Sequence, residues 1–396
     1  ARKQRKENQR MIRVAVIGTG NISTAHIEGY LAFPERCQIV ALCDIFPEKA
    51  QAKKEKYQLN GADVVDDHEK LLDREDIDLV SVCTPPYCHA SIAIHFLQHG
   101  KNVLVEKPMA TSLQECDEMI DAAKEHGKVL GVIAQNRFRD PIMKLKKVLD
   151  SGLTGRVLHA QIDSYWWRAH NYYDLWWRGT WEKEGGGCTL NHAVHHIDML
   201  GWMMGLPKSV QALLSNAAHD NAEVEDVSIA ALQYDRGAVA QITSSVIHHG
   251  EEQQVIFQTE KARVSAPWKV YCSAARSNGF PDRDTETEKK LQEFYDSIPP
   301  LEHVGHEGEI DNVLRAIETG TSPLITGEEG RRTIELITAI YKAGFEHRTV
   351  RLPIQKDDIY YTADGIQKNA IHFYEKTASI QELGAGESIT LGSNYQ

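Results

Sequence analysis

Short apolar runs alternate with longer amphipathic stretches between residue 11 and about residue 134. The apolar runs occupy residues 12–17, 39–43, 79–83, 103–105 and 129–133. Near-continuous apolar strands of this length are typical of a parallel sheet that is covered on both faces. Between them lie helical candidates at residues 91–100 and 113–126, each closed by a glycine. The pattern predicts an α/β fold that begins with a doubly wound parallel sheet over residues 11–135.

In the second part of the chain, polar and apolar residues alternate with the period of two expected of strands with one exposed face. We expect a second α+β domain whose sheet packs on helices with one face and offers the other face to an oligomer interface. The alternation covers residues 157–163, 227–234 and 238–243, with a hairpin turn at 235–237, and helices at 308–318 and 331–345 precede an edge strand at 349–354. The predicted domains are therefore 11–135 and 136–354, flanked by a basic, flexible N-terminus (1–10) and a C-terminal tail (355–396).

Composition and charge exclude several classes of protein. The 396 residues, 42% of them hydrophobic, suffice for two cores, and no apolar run approaches the roughly 18 residues of a membrane span. A net charge of −12 repels a phosphate backbone, which argues against a nucleic-acid partner. The seven cysteines form no CxxC pair, so we expect reduced thiols and no structural zinc. Because the N-terminus lacks the apolar segment of a signal peptide, we expect a cytoplasmic protein.

A glycine-rich turn, Gly-Thr-Gly-Asn-Ile-Ser at residues 18–23, follows the first predicted strand. Gly18 permits a tight turn, Gly20 lets a pyrophosphate approach the backbone, and the N-terminus of the next helix directs N–H groups at the phosphates. The second strand ends at Asp44, whose carboxylate can accept hydrogen bonds from both adenosine ribose hydroxyls. That charge would repel a 2′-phosphate, so the sequence favours NAD over NADP.

Two later segments carry candidate reacting groups. Lys107, between Glu106 and Pro108, follows a predicted strand, and ligands bind at the carboxyl edge of such sheets. Downstream of three glycines, Asn191 and His195 have helical spacing, so the imidazole could take a proton from an alcohol that the amide orients. His192, His195 and His196 could suggest a metal site, but ligands at these spacings do not face one point on a helix, and we expect no metal. Asp198 is interpreted as structural.

An aromatic cluster lies immediately before these glycines. Aromatic faces stack on the C–H faces of sugar rings, although a packed core or a subunit interface would use the same residue types. Arg168 and Arg178 interleave with the cluster and could hold a hydroxyl or a carboxylate, or could stack on an indole. His303, His306 and Glu307 could approach the site from the start of a later helix, but capping or surface roles are favoured. The eight aromatic residues are Tyr165, Trp166, Trp167, Tyr172, Tyr173, Trp176, Trp177 and Trp181.

Taken together, these motifs resemble the Gfo/Idh/MocA oxidoreductase family over most of residues 11–354. The matching features are the glycine turn, Asp44, Thr84-Pro85-Pro86 with His89, GKNVLVEKPMA at 100–110, and the segment from the three glycines to HHID. The resemblance implies an N-terminal Rossmann domain and a C-terminal α/β domain with a large open, mostly antiparallel sheet that builds a homodimer or homotetramer. It also implies a catalytic lysine at Lys107 and a catalytic histidine at His195. The predicted cofactor residues are Gly18, Gly20, Asn21, Ile22, Asp44, Thr84, Pro85, His89, Glu106 and Lys107. The predicted substrate residues are Lys107, Tyr165, Trp177, Arg178, Asn191 and His195.

One position departs from the family pattern, because many members have Asp where this chain has Asn191. An amide cannot act as a base, so proton abstraction falls on His195 with assistance from Lys107. Asn at this place resembles the branch that oxidises the 3-hydroxyl of sugars or sugar nucleotides.

These observations predict an NAD-dependent dehydrogenase that removes hydride from a secondary hydroxyl carbon, with C3 favoured, of a sugar, glycoside or sugar derivative. Three alternatives remain open. The first is a redox-neutral enzyme that keeps NAD bound and works through a 3-keto intermediate by elimination, epimerisation or glycoside cleavage. The second is an inositol or polyol dehydrogenase, and the third is a non-enzymatic regulator that senses a dinucleotide.

Overall fold

The computed structural model describes residues 10–381, in which the chain forms sixteen β-strands and eleven α-helices. The strands are β1 (Ile12–Ile17), β2 (Cys37–Cys43), β3 (Asp63–Val65), β4 (Leu79–Val82), β5 (Asn102–Val105), β6 (Leu130–Val132), β7 (Val157–Tyr165), β8 (Ser209–Ser215), β9 (Val227–Gln233), β10 (Val239–Ser245), β11 (Gln253–Thr259), β12 (Arg263–Ala266), β13 (Lys269–Tyr271), β14 (Ser273–Ala275), β15 (Pro281–Arg283) and β16 (Val350–Arg351). The helices are α1 (Ser23–Leu31), α2 (Pro47–Lys56), α3 (His89–Gln98), α4 (Leu113–Glu125), α5 (Asp140–Asp150), α6 (Cys188–Asn191), α7 (Val194–Met204), α8 (Thr285–Ser297), α9 (Gly305–Thr319), α10 (Gly327–Glu346) and α11 (Ala363–Asn369). Over these residues no helix combines the length and the apolar character that a bilayer crossing requires.

The described chain divides into two compact units, and each is discontinuous in sequence. The first unit contains residues up to 135 together with 302–331, and the second contains 136–301 together with 332 onwards. This division differs from the continuous second domain expected over 136–354. The reason is that apolar side chains of α9, such as Ile310 and Leu314, belong to the same buried core as β1 and β2. The flexible N-terminus predicted for residues 1–10 lies, except for Arg10, outside the described residues.

The first unit is built on a six-stranded sheet in the order β3-β2-β1-β4-β5-β6, with every neighbouring pair parallel. All four residues of β4 are buried, as expected of a strand that is covered on both faces. Parallel strands place all their carboxyl ends at one edge, and the strand order reverses between β1 and β4, which is the usual binding place of such sheets. The predicted doubly wound parallel sheet is confirmed.

The second unit is built on an eight-stranded sheet in the order β13-β12-β11-β7-β10-β9-β8-β16. Strands β7 and β10 are parallel and the other neighbours are antiparallel, so the predicted open, mostly antiparallel sheet is also confirmed. Buried and exposed residues alternate strictly along β9, except that its first residue is half-buried. The predicted turn at 235–237 joins β9 to β10, with Arg236 and Gly237 both at positive φ.

Two predicted elements near the C-terminus differ from those observed. The edge strand expected at 349–354 shortens to the two residues of β16, because Pro353 has no N–H to donate to a neighbouring strand. The C-terminal tail expected beyond the second domain belongs, over the described residues 355–381, to the second unit, and it contains α11. The remaining tail residues, 382–396, lie outside the described residues.

Candidate active site

The predicted glycine turn connects β1 to α1 at the carboxyl edge of the parallel sheet. Gly18 has a φ of +88°, and a β-carbon at this position would lie 2.7 Å from the carbonyl carbon and oxygen of Cys83. Gly20 is exposed, and a β-carbon there would meet no atom within 4 Å. Asn21 and Ile22 complete the turn, and α1 begins at Ser23. The open space over Gly20 next to a helix N-terminus fits the pyrophosphate of a dinucleotide.

Asp44 lies directly after β2 and stabilises this turn by hydrogen bonds. Its Oδ2 accepts hydrogen bonds from the Thr19 backbone N–H and the Thr19 hydroxyl, both at 2.8 Å, while Oδ1 accepts from the Phe46 N–H at 2.9 Å. The side chain remains partly exposed beside the turn. The carboxylate is therefore in the position expected of a group that accepts hydrogen bonds from ribose hydroxyls.

The segments that follow β4 and β5 are tied together by His89. This histidine is buried, with Nδ1 2.8 Å from the Pro108 carbonyl oxygen and Nε2 2.7 Å from the Thr84 carbonyl oxygen. Burial lowers the pKa of His89, and the hydrogen bonds to the Pro108 and Thr84 carbonyl oxygens oppose that shift. We therefore expect His89 to act on the cofactor site through the backbone that it holds. Within residues 10–381 the buried Thr84 hydroxyl oxygen has no hydrogen-bond partner, although a bound ligand could supply one.

Glu106 is turned into the protein, where two histidines surround it. Its Oε1 lies 3.0 Å from His26 Nε2 and 3.1 Å from His306 Nε2, and its Oε2 accepts the Lys107 backbone N–H at 2.9 Å. Burial alone would raise the pKa of Glu106, but the hydrogen bonds and charges of both histidines hold it well below its usual range. The ionised carboxylate thus fixes the backbone from which the partly exposed Lys107 side chain extends.

This buried cluster was not predicted from the sequence. His26 lies on the apolar face of α1, where no pattern distinguishes it from a core residue, and its Nδ1 lies 3.0 Å from the Ser81 hydroxyl. His306 was assigned a capping or surface role, but it is buried against Glu106. A histidine in the first turn of α9 carries no sign of this partner 200 positions earlier in the chain, because the contact depends on tertiary folding.

In the second unit, the three glycines lead into the segment that bears Asn191 and His195. A β-carbon on Gly187 would lie 2.0 Å from the Glu225 carbonyl oxygen, so only glycine fits there without a shift. The segment is not the single helix that the spacing suggested. Helix α6 ends at Asn191, α7 begins at Val194, and between them the Ala193 N–H bonds back five residues to Cys188. Asn191 and His195 are both buried, and Asn191 Nδ2 donates to the Gly186 carbonyl at 2.9 Å, which fixes the amide.

Two buried carboxylates hold this segment in place. Glu225 accepts hydrogen bonds from the N–H groups of Gly187 and Thr189 and from the Tyr341 hydroxyl, at 3.1, 2.9 and 2.9 Å. Burial raises the pKa of Glu225 to about 7, although these donors oppose the shift. Asp198, interpreted as structural, makes a two-point ion pair with Arg137 at 2.8 and 2.7 Å.

The histidines of this segment differ in environment. His196 is fully buried, and burial lowers its pKa to about 3, so it remains neutral. Among the described residues, the groups of potential metal ligands whose donor atoms lie within 4.8 Å of one another do not include His192, His195 or His196.

The aromatic cluster separates into a core part and a part beside this segment. Trp166, Tyr173 and Trp181 are buried, which corresponds to the packing alternative. The Arg178 guanidinium lies 4.2 Å from the centre of the Tyr172 ring and 4.1 Å from that of Trp177, and it pairs with the buried Glu184 at 2.9 Å.

Tyr172 links the second part to the segment of Asn191, because its hydroxyl lies 3.3 Å from His192 Nε2. Tyr165, the other predicted substrate residue, ends β7 and stacks on His248 with ring centres 4.1 Å apart. Arg168 pairs with Glu251 at 2.7 Å. Both arginines therefore have carboxylate partners within the chain, which reduces the positive charge that they offer to a ligand.

Comparisons with known proteins agree with this arrangement. The 2,7-anhydro-N-acetylneuraminate hydratase of Mediterraneibacter gnavus is 28% identical over 374 residues, which cover 85% of this chain and 96% of that protein. The myo-inositol 2-dehydrogenase of Thermotoga maritima is 26% identical over 349 residues, which cover 86% and 98%. The crystal structure of the WlbA dehydrogenase from Bordetella pertussis in complex with NADH and UDP-GlcNAcA superposes with a TM-score of 0.75 at 29% identity, covering 88% of this chain and 99% of that one.

Family profiles match both units of the chain. Residues 12–134 match the profile described as the GFO/IDH/MocA oxidoreductase family with an NAD-binding Rossmann fold, and residues 142–265 match the GFO/IDH/MocA C-terminal domain. Together these matches cover well over half of the sequence and correspond to the motifs described above. The chain belongs to the GFO/IDH/MocA family of NAD-binding oxidoreductases.

Proposed function

We propose that the protein is an NAD-dependent dehydrogenase that oxidises a secondary hydroxyl group, with C3 the first carbon to test, of a sugar, glycoside or sugar derivative. The observation that carries the proposal is the sheet edge of the first unit. There the Gly18–Gly20 turn follows β1, Asp44 follows β2, and Lys107 follows β5 on a backbone fixed by the ionised Glu106. This arrangement combines a dinucleotide cradle with a hydrogen-bond donor for a substrate oxygen.

The roles of the side chains follow from their chemistry. NAD supplies the hydride acceptor when it is bound. Lys107 donates a hydrogen bond to the substrate oxygen and polarises it, and the imidazole of His195 accepts the hydroxyl proton. Asn191, whose amide is fixed on Gly186, orients the hydroxyl, and Tyr165, Trp177 and Arg178 contact the sugar. Asn21, Ile22, Thr84, Pro85 and His89 contribute to cofactor binding, His89 through the backbone of Thr84 and Pro108.

The proposal is tested with a panel of sugars, glycosides, nucleotide-linked sugar acids and inositols, read by the absorbance of reduced nicotinamide. With the best substrate, Lys107→Met and His195→Gln should each lower kcat by about 100-fold or more, because each loses a group that acts on the moving proton. The dissociation constant of NAD should change little in His195→Gln. Lys54→Met, on α2, removes a lysine of the same unit and should leave kcat unchanged. If both active-site variants keep full turnover, the role assignment is wrong.

A second candidate is a redox-neutral reaction in which NAD stays bound and a 3-keto intermediate permits elimination, epimerisation or glycoside cleavage. The observation that favours it is the similarity to a hydratase over 85% of this chain. Substrate consumption without net formation of NADH, measured together on the same sample, would support this candidate over the dehydrogenase. A protein that binds NAD and turns over no member of the panel would instead be a dinucleotide-sensing regulator.

We also propose that the protein forms a homodimer or homotetramer through the open sheet of the second unit and works in the cytoplasm. The sheet presents Leu213, Ile229 and Val239 to solvent, each between 45% and 66% exposed. All seven cysteines are free thiols, which supports a reducing compartment.

A further inference from the structure

The C-terminal tail lies against the loop that carries two of the predicted substrate residues. We call residues 172–181 the aromatic loop, which bears Trp177 and Arg178, and residues 371–380 the tail segment. Both belong to the second unit. Residue Ile380 forms a parallel bridge with Leu175, in which the Trp176 N–H donates to the Ile380 carbonyl at 2.8 Å and the Ile380 N–H donates to the Asp174 carbonyl at 2.9 Å.

The tail segment also holds the far end of the aromatic loop. The Trp181 indole N–H donates to the Ile371 carbonyl at 3.1 Å. The Phe373 N–H donates to the backbone carbonyl of Glu223. Glu223 contacts the aromatic loop twice: its N–H donates to the Gly179 carbonyl, and its carboxylate accepts from the Trp181 backbone N–H. Trp177 and Arg178 therefore lie between two points at which the tail determines the path of the loop.

Lys376 makes the most specific of these contacts. Its ammonium donates hydrogen bonds to the carbonyl oxygens of Tyr173 and Leu175, at 2.5 and 3.0 Å. Partial burial lowers the pKa of Lys376, while the nearby carboxylates of Glu184 and Asp174 oppose that shift. A charged donor to these two carbonyl oxygens fixes the loop more strongly than a neutral donor would, because charge-assisted hydrogen bonds are stronger.

The loop that the tail holds is connected to the candidate catalytic segment. The Leu175 carbonyl that accepts from Lys376 also accepts the Arg178 N–H at 3.0 Å. The Arg178 side chain then stacks on Tyr172, whose hydroxyl meets His192, the residue after Asn191. A displacement of the Leu175 peptide would be transmitted to Arg178 and Trp177 through this short chain of contacts.

We propose that the tail segment is part of the substrate site, with Lys376 as the positioning residue that holds Trp177 and Arg178 in place for the sugar. The inference rests on the proposed function, because it assumes that the aromatic loop contacts the substrate. The tail segment thereby affects the affinity and selectivity for the sugar. It has no role in binding NAD, since both hydrogen bonds of the Lys376 ammonium go to the aromatic loop.

The test compares Lys376→Met, Lys376→Arg and a control, Lys368→Met, in the full chain. Lys368 lies on α11 in the same C-terminal region, but it is exposed and pairs only with its helical neighbour Asp364. Lys376→Met should raise KM for the best sugar by about tenfold or more, because misplaced binding groups weaken substrate capture. The dissociation constant of NAD should stay within about twofold, Lys376→Arg should recover most of the affinity, and Lys368→Met should match the unmodified protein.

A second measurement follows the loop itself. Hydrogen exchange of the Trp176 and Arg178 amides should accelerate in Lys376→Met, since their acceptors belong to the bridge and to the Leu175 peptide. An unchanged KM in Lys376→Met would overturn the inference, and so would equal losses of sugar binding, NAD binding and thermal stability, which would identify the tail as a general scaffold. Lys107→Met tests the proposed function separately. A failure of the inference about the tail segment is therefore distinguishable from a failure of the proposed function.

Discussion

Carboxylate side chains hold the glycine-rich turns of both units. In the first unit Asp44 accepts the Thr19 N–H inside the dinucleotide-type turn, and in the second unit Glu225 accepts the N–H groups of Gly187 and Thr189. Turns rich in glycine lose much conformational entropy on folding, so a fixed acceptor limits the conformations available to them. The two carboxylates differ in burial, since Asp44 is partly exposed and Glu225 has no exposed surface.

Asp44→Ala should weaken NAD binding by about 10- to 100-fold, because the variant loses charge-assisted hydrogen bonds to the ribose and the brace on the turn. Binding of NADP should weaken much less, so that the preference for NAD decreases. Isothermal titration with both dinucleotides measures the two effects. Asp66→Ala, which removes an exposed carboxylate just after β3, serves as the control for charge. A preference for NADP in the unmodified protein would contradict the role of Asp44.

Glu225 should make folding stability depend on pH. Its pKa is raised from 4.5 to about 7 by burial, so the folded protein binds this proton more tightly than the unfolded chain. The contribution is therefore complete below the unfolded pKa and is lost as the pH rises through about 7, by up to roughly 3 kcal/mol. Urea unfolding at about pH 5 and about pH 8 measures the change. Glu225→Gln cannot ionise and should show a flatter profile, and equal pH dependence in both proteins would refute the assignment.

At the scale of elements, the sequence determined the parts of the site that depend on local chain geometry. The glycine turn, Asp44 and Lys107 each follow an apolar strand, and strand ends are visible in the hydrophobic pattern. Glu225 and Tyr341, which lie far away in the chain, hold the start of α6, and the spacing of Asn191 and His195 showed neither these contacts nor the break between α6 and α7. The roles of His26 and His306 were not predictable for the same reason, because their shared partner Glu106 lies far from both in the sequence.

The two glycines of the first turn should respond differently to the same substitution. Gly20→Ala should leave the unfolding temperature unchanged, because its β-carbon meets nothing within 4 Å, but it should lower NAD affinity by about tenfold or more, since the methyl group fills the place of the pyrophosphate. Gly18→Ala should instead destabilise the fold by about 1–3 kcal/mol or more, because of its positive φ and the close contact with Cys83. Thermal unfolding and isothermal titration distinguish the two effects. Normal NAD affinity in Gly20→Ala would contradict the cofactor site proposed here.

At the scale of the whole molecule, the order of segments in the chain does not match the division into units. Residues 302–331 return to the first unit after the long sheet of the second, because α9 completes the core around β1 and β2. Amphipathic periodicity predicts that α9 is a helix with a buried face, but it carries no information about which sheet covers that face. The α/β class and both sheet types were therefore predictable, whereas the return of the chain to the first unit was not.

The open sheet of the second unit should mediate self-association. Leu213 on β8 and Ile229 on β9 are directly opposite each other in the antiparallel register and are 66% and 53% exposed. Val239 on β10 adds a third exposed apolar side chain to the same sheet. Contiguous exposed apolar side chains on one face of a sheet mark an interaction surface, because burying them removes apolar area from water.

A double variant, Leu213→Glu with Ile229→Glu, should shift the protein to monomers, as measured by sedimentation velocity at micromolar concentration. In the associated state the new glutamates of two copies of the chain would face one another in a desolvated contact, where like charges repel. Phe280→Glu is a matched control: Phe280 is also 66% exposed, but it lies in the loop between β14 and β15 and outside the eight-stranded sheet. This control should sediment as the unmodified protein does. If the double variant keeps the original size while Phe280→Glu dissociates, association uses the small hairpin, and the sheet face remains exposed to solvent.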